Sequence, residues 1–288
     1  MAADCLVFGI DGGGSGCRIA VHDMQGRLIA NTEGGPANFT TDPNGATQSI
    51  LSAIASVTSE HLQPAHGCAH IGLAGIMDAA DATKLADAMP FAKTAVTDDR
   101  VTTVAGALSD ADGYLISAGT GSFVAVQTDG VQRFVGGWGL KLGDQASGAW
   151  VGLQSLQRTL LAHDGLMPPS DLTQAVLSDH GGSARALLAA VQDAGPADLA
   201  ALAPRVIDAA AQDDVVARAI LQEGADYLVS CLNALGFQDA SRLCLTGGIG
   251  PAYRDYLPPA VQAMIVAPAG NALDGAVLLA RRLAEGQS

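Results

Sequence analysis

Two stretches of this chain follow one plan, and that plan limits the fold more than any other feature. The first runs Leu6-Val-Phe-Gly-Ile-Asp-Gly-Gly-Gly-Ser-Gly-Cys-Arg-Ile-Ala-Val21, the second Tyr114-Leu-Ile-Ser-Ala-Gly-Thr-Gly-Ser-Phe-Val-Ala-Val126. Each is an apolar run that reads as a buried strand, then a turn of glycine and hydroxyl residues, then a second apolar strand. Each passes through a polar turn (Asp23 to Arg27; Thr128 to Arg133) into a third short strand, Leu28 to Asn31 and Phe134 to Val135. One such hairpin has an ordinary reading, in which glycine supplies positive φ and Asp11 bonds the turn. Two at matching places in successive halves read as a duplicated unit with a nucleotide held between the halves.

The turn chemistry excludes two commoner phosphate sites. A strand, not a helix, leaves Gly12-Gly13-Gly14-Ser15, and Cys17 stands where a dinucleotide fold needs its third glycine. No Gly-Lys-Ser/Thr closes a triphosphate loop anywhere in the chain. What remains is bare backbone N–H at a hairpin tip, able to close around phosphate oxygens, with the Asp11 carboxylate at the strand end. A carboxylate there repels phosphate unless a cation intervenes, and Mg²⁺, held through water by one carboxylate and by the phosphates, meets that need.

Composition narrows the setting. A chain of 288 residues with 49% hydrophobic content can fill two lobes or one large α/β domain. No apolar run reaches membrane-span length, and Asp4 sits at the N-terminus without a basic segment, so neither a membrane anchor nor a signal peptide is expected and the location is cytoplasmic. Five cysteines, at 5, 17, 68, 231 and 244, form neither a disulfide framework nor a Cys-x-x-Cys metal pair. A net charge of −14 argues against nucleic acid as partner, and leaves bound ATP dependent on Mg²⁺ and backbone amides.

Taken in order, several of the remaining stretches carry two readings. Asn38, in the loop Gly34-Gly-Pro-Ala-Asn-Phe39, reads by itself as turn chemistry. A helix is expected from near Asn44. The strand His70 to Gly75 ends where ligands sit in a mostly parallel sheet, yet Ala74-Gly75 also reads as a plain strand-to-helix turn into a helix from about Asp78 to Met89. Lys93 to Arg100 is a strand running into a helix from about Val101. Either Asp98 or Asp99 could cap that helix, or accept the proton of a hydroxyl attacking a γ-phosphate. Trp138, among glycines 136, 137 and 139, is a loop anchor or a flat face for a pyranose. Asp144 is expected to begin a helix with Trp150, Leu153, Leu156, Leu160 and Leu161 on one face, and could be only its cap. From Pro169 to about Gly236 the chain is helical, broken at Gly181-Gly182 and Gly195-Pro196. The stripe Val216, Ile220, Tyr227, Leu228, Cys231, Leu232, Leu235 reads as core. His61, His163, His180 and the other histidines form no ligand spacing. Gly247-Gly248, after the strand from Arg242, leaves room for a flat base, and Ala272 to Ala284 reads as a helix.

With its two hairpins in this order, the sequence resembles the sugar kinase, actin and Hsp70 ATPase superfamily. Within it, the resemblance is to the BadF/BadG/BcrA/BcrD ATPase group, which contains glucosamine and N-acetylglucosamine kinases. It implies an α/β, two-lobed actin-like (ribonuclease H-like) fold of duplicated mixed sheets flanked by helices, with a cleft between lobes. The first lobe would span 1–112, completed by 270–288, and the second 113–269.

The resemblance also implies roles. Phosphates fall to Gly12, Gly13, Gly14, Ser15, Gly119, Thr120, Gly121 and Ser122, with Arg18 reaching a phosphate, Asp11 holding Mg²⁺ and Gly247-Gly248 against adenosine. The family's Asn-Asp-Ala element falls on Asp98-Asp99-Arg100, making Asp99 the base, although Arg100 departs from the usual small residue. Asn38, Gly75, Gly137, Trp138 and Asp144, the last in Gly-Asp-Gln-Ala-Ser-Gly, fall at the sugar. The implied activity is ATP-dependent phosphorylation of the 6-hydroxyl of glucosamine, with N-acetylglucosamine second, by a homodimer. Two other classes share the fold. An activator of a radical dehydratase would need a cysteine at a subunit boundary to hold an iron–sulfur cluster. A sugar-sensing transcription factor would need a DNA-binding module before the first strand, for which a sheet starting by Leu6 leaves no room.

Overall fold

The computed structural model describes residues 6–60, 62–238 and 241–286; Cys5 and His61 lie outside the described residues. The chain divides into two compact units, Met1–Ala111 with Pro268–Ser288, and Asp112–Ala267.

In the first unit the order is β1 (Leu6–Gly13), β2 (Gly16–His22), β3 (Leu28–Gly34), α1 (Pro43–Val57), β4 (Gly67–Leu73), α2 (Ala79–Asp87), β5 (Lys93–Asp98) and α3 (Asp99–Leu108). The sheet runs β3-β2-β1-β4-β5, antiparallel through β3, β2 and β1 and parallel through β1, β4 and β5. Period two sorts β1 between faces: Phe8 and Ile10 join Ile19, Ile50, Ile71, Leu73 and Leu85 on one side, while Val7 meets Val277 and Ala280 on the other. Burial on both faces explains why β1 reads as an unbroken apolar run rather than an alternating one.

The second unit repeats the topology. It contains β6 (Gly113–Ala118), β7 (Ser122–Thr128), β8 (Val131–Gly136), α4 (Gly148–His163), α5 (Asp171–Ser178), α6 (Ala184–Val191), α7 (Pro196–Ala200), α8 (Ala203–Ala211), α9 (Val215–Ala234), β9 (Leu243–Thr246), α10 (Pro259–Gln262) and β10 (Ile265–Val266). Its sheet, β8-β7-β6-β9-β10, has the same sequence of antiparallel and parallel pairs. The duplicated mixed sheets expected from the two hairpins are therefore present. The expected stripe on α9 is core at Val216, Ile220, Leu228, Cys231, Leu232 and Leu235.

The last helix, α11 (Ala272–Glu285), is capped by Asn271 and packs in the first unit on β1 and α3. It crosses α3 very closely, since a Cβ on Gly106 would lie 1.9 Å from the Asn271 carbonyl and one on Gly275 2.0 Å from that of Thr102. Among the described residues no helix is long and apolar enough to cross a membrane. Cys17, Cys68, Cys231 and Cys244 are buried.

Five local expectations need correction. β3 continues to Gly34 because Arg18–Glu33 and Cys17–Gly34 keep pairing, and β8 starts at Val131 because Thr128–Val131 pair across the turn. α3 begins at Asp99, not Val101, since the Asp98 side chain accepts the Arg100 N–H and so caps the helix two residues earlier. Asp144 neither begins nor caps α4. Its φ of 59° and the 69° of Ala146 are left-handed, and the cap is Ser147, whose hydroxyl accepts the Trp150 N–H at 3.0 Å. On α4, Leu161 is 42% exposed, and the buried face is instead Trp150, Val151, Ser155, Leu156 and Thr159.

Candidate active site

The first hairpin leaves bare amides at its tip because the chain itself uses its carbonyls. Ala74 N–H donates to the Gly12 carbonyl at 2.9 Å and Ala37 N–H to that of Gly13 at 2.8 Å, so two turn carbonyls are occupied by the chain itself. A Cβ on Gly13 or Gly14 would meet nothing within 4 Å, and Gly14 and Ser15 are exposed. Bare amides at the tip can therefore be approached closely by an oxyanion. Gly12 differs: it is buried, its α-carbon facing Leu73 within the sheet.

Asp11 and Arg18 stand opposite each other across β1 and β2 and form an ion pair. Asp99, at the carboxyl end of β5, is the first residue of α3. Burial raises its carboxyl from 3.8 to about 7; the neighbouring Asp98 charge and hydrogen bond and the Asp11 charge push the same way, against Arg100. Asp98 is otherwise engaged, since its carboxylate caps α3 and takes the Arg100 Nε at 2.8 and 3.0 Å. The two sequential aspartates thus divide the work, Asp98 to structure and Asp99 with a half-buried acid at the end of β5 that feels the Asp11 charge. Arg100 is the partner that fixes the first of these.

Asn38 and Gly75 come together. The Asn38 Oδ1 accepts the N–H groups of Thr40 and Thr41, each at 3.1 Å, which is turn chemistry. Thr40 Oγ1 donates to the Gly75 carbonyl, and Phe39 N–H to that of Ala74, both at 2.9 Å. Gly75 has φ +88°, and a Cβ there would be 2.5 Å from Thr40 N, so only glycine lets this turn and the Asn38 loop meet. Sequence reasoning missed Thr40, whose hydroxyl ties the two; a threonine in a loop carries no signal by itself.

In the second unit the hairpin is braced in a parallel way. Gly148 N–H donates to the Gly119 carbonyl at 2.7 Å and Ala149 N–H to that of Thr120 at 3.3 Å. A Cβ on Gly119 would meet nothing within 4 Å, and Thr120 and Gly121 are exposed. Ser122 points inward, its hydroxyl donating to the Gln145 carbonyl at 2.6 Å. Its N–H goes to Asp144, whose Oδ1 also accepts the Gly139 N–H at 3.1 Å. Burial raises the Asp144 acid above the usual carboxylate range, against those two amide bonds.

Gly137 and Trp138 lie in the loop after β8, where Gly136, Gly137 and Gly139 all have positive φ. Trp138 is 73% exposed and lies over Gly143 of its own loop, a Cβ there falling 3.7 Å from the indole Cδ1. Under this loop stands Tyr227 of α9, its phenol oxygen 3.0 Å from where a Gly136 Cβ would be, its ionisation pushed up to about 12 by burial, Cys231 and the Asp144 charge. Periodicity alone assigned Tyr227 to core and could not show its hydroxyl end. Gly247 is glycine for a packing reason, having φ +82° and its Cβ position 2.3 Å from the Ala118 carbonyl, whereas Gly248 faces open space.

Among the described residues no group of three or more His, Cys, Asp or Glu is arranged around a metal. Mg²⁺ nonetheless fits, because it needs only one or two hard oxygen donors beside phosphate, and Asp11 offers a carboxylate balanced by Arg18 alone. Cys231 and Cys244, 4% and 0% exposed, have no surface from which to share an iron–sulfur cluster.

The chain is 32% identical over 279 residues to glucosamine kinase GspK of Vibrio cholerae, covering 94% of each. Its structure matches that of a candidate N-acetylglucosamine kinase from Chromobacterium violaceum with TM-score 0.88 and 35% identity, over 96% of this chain and 99% of that one. A ROK family glucokinase from Streptomyces griseus, crystallised with glucose and AMPPNP, shares the fold at TM-score 0.60 and 20% identity, over 98% and 99% of the two chains. The sequence pattern of one family extends over residues 8–280, through both hairpins, Asp99 and most of α11, and the chain belongs to that family, the BadF/BadG/BcrA/BcrD ATPases.

Proposed function

We propose that this protein is an ATP-dependent hexosamine kinase that transfers the γ-phosphate to the 6-hydroxyl of glucosamine. The observation that carries the chemistry is Asp99, a carboxyl at the end of β5 raised to about 7, where it feels the Asp11 charge. A base poised there can take the acceptor proton near neutral pH. The acceptor rests on the likeness to the Vibrio cholerae enzyme.

In this reading Gly13 to Ser15 and Gly119 to Gly121 hold the triphosphate by their amides, while Gly12 keeps its strand in place and Ser122 braces the second tip from behind. Arg18 would reach a phosphate, and Asp11 would hold Mg²⁺. The ion supplies neutralisation of the charge building between the β- and γ-phosphates. Gly248 offers its open side to adenosine, with Gly247 setting the approach to β6. Asn38 uses its amide NH₂ toward the sugar, since its oxygen is engaged in the turn; Gly75 offers backbone, and Gly137, Trp138 and Asp144 complete the acceptor side. Asp99 accepts the 6-hydroxyl proton as that oxygen attacks the γ-phosphorus and ADP leaves. Catalysis is then mostly alignment and charge stabilisation. The working form is a cytoplasmic homodimer.

N-acetylglucosamine is the second reading, favoured by the exposed Trp138 loop and by the Chromobacterium violaceum structure. Initial rates of ADP release with each amino sugar, at saturating Mg·ATP, test both. Sugar-dependent turnover with sugar 6-phosphate as product is expected, glucosamine having the higher kcat/KM. Absence of sugar-dependent turnover with either would overturn the kinase assignment.

A further inference from the structure

Around the second hairpin a single side chain joins two loops that the reaction needs at once. Asp144 is 8% exposed and holds a left-handed backbone. One carboxylate accepts an N–H from Ser122, at the end of the phosphate hairpin, and one from Gly139, next to Trp138. The same segment grips the hairpin by three further bonds, Ser122 Oγ to the Gln145 carbonyl, Gly148 N–H to Gly119 and Ala149 N–H to Thr120. The Trp138 loop, in contrast, has three positive-φ glycines and an exposed indole. Its bond to Asp144 is its charged tie to the rigid part of the unit.

We propose that Asp144 is a positioning residue that couples nucleotide and acceptor binding, transmitting the order of the hairpin tip to the Trp138 loop through its two amide bonds. The proposal rests on the kinase reading above and adds to it a function for Asp144 separate from touching the sugar. When phosphate oxygens fix the Thr120 and Gly121 amides, Ser122 and therefore the carboxylate are fixed, and the loop held at Gly139 loses fewer conformations on closing over a sugar. The sugar then binds more tightly to the nucleotide-loaded enzyme. By linkage the nucleotide binds more tightly, by the same factor, to the sugar-loaded enzyme. A carboxylate serves better than an amide because both of its oxygens accept and its bonds to N–H are charge-assisted.

The test is titration calorimetry of glucosamine into the enzyme alone and into enzyme saturated with a non-hydrolysable ATP analogue and Mg²⁺. The wild type is expected to show a nucleotide-induced gain in sugar affinity of roughly five-fold or more, the lower end of usual coupling between sites. Asp144→Asn is expected to bring that ratio near one. Gly121→Ala supplies a second route, because its new Cβ would lie 2.8 Å from Asp144 Oδ2 and displace the carboxylate without altering its charge; since Gly121 also faces the triphosphate, its ratio is read at an analogue concentration that a separate titration shows to saturate the variant, and it should be lower too. Far-ultraviolet circular dichroism and melting confirm that each variant is folded, and either folded variant alone decides the outcome. A wild-type ratio of one overturns the proposal. So does a variant that weakens the sugar equally with and without nucleotide, which is the signature of Asp144 acting only as a direct sugar contact. If the wild type binds neither ligand, it is the kinase reading that has failed, and the coupling falls with it.

Discussion

A single carboxyl group, Asp99, carries two testable consequences. A positioned base contributes about 10²- to 10⁴-fold, so Asp99→Asn is expected to lower kcat by that range while the Kd for the ATP analogue stays within a few-fold; survival of turnover would move the role to another group. The wild-type kcat/KM should rise with pH through about 7 as the acid ionises, and this rise should vanish in the variant. Stability runs the other way. The folded state holds the Asp99 proton more tightly than the unfolded chain does, so the stability it contributes is full below about 4 and lost as pH climbs to about 7. Asp99→Asn should accordingly melt higher than wild type at pH 8 and show no such gain at pH 4. Nothing in the residues Asp98-Asp99 themselves told which would cap and which would carry the raised acid. Both are good caps by type, and the choice fell to the chain path out of β5, which aims Asp98 at Arg100.

At the level of elements, strands and helices followed from local pattern wherever burial was two-sided or caps were conventional, as for β1, α1 and α9. The loop ahead of α4 did not. Asp144 and Ala146 have a left-handed backbone, and the Asp144 carboxylate turns to Ser122, in a different element, and to Gly139, in the preceding loop; an aspartate before an apolar run otherwise reads as a cap. The α3–α11 crossing likewise depends on partners far apart along the chain. Because a methyl at Gly275 would be driven into the Thr102 carbonyl and the Gly106 backbone, Gly275→Ala should destabilise the protein by about 1–3 kcal/mol. A fall in melting temperature of several degrees checks this, and an unchanged value would mean the crossing relaxes freely.

Over the whole molecule, the first unit is built from two separated pieces of chain, with α11 covering the Val7 face of β1 after the second unit has been completed. Truncation before Pro268 should therefore leave that face bare and abolish cooperative unfolding of the first unit. Limited proteolysis is expected to degrade residues 6–111 first while a fragment near 112–267 persists. Equal protection of both regions in the truncated protein would show that α11 is dispensable. The repeated topology was legible because strand, glycine turn, strand, polar turn and strand recur in order, and the physical constraint of a bare-backbone turn leaves a mark in residue type.

The sequence by itself determined the two hairpins and the sheets they start, since these follow from periodicity and from glycine at the turns, and the order of its motifs carried the resemblance to the family. Tertiary structure alone decided what each polar group near those tips does: Asp98 capping while the Asp99 acid is raised, Asn38 spending its oxygen on a turn, Ser122 facing inward, Asp144 bridging two loops. The physical reason is that a carboxylate or hydroxyl takes its role from its desolvation and from the N–H groups that reach it. Some of those partners lie two to five residues off, as for Asp98, Asn38 and the Gly139 bond of Asp144, and others, as for Ser122, lie in another segment; which of them arrives is decided by the path of the chain, and residue type alone does not record it.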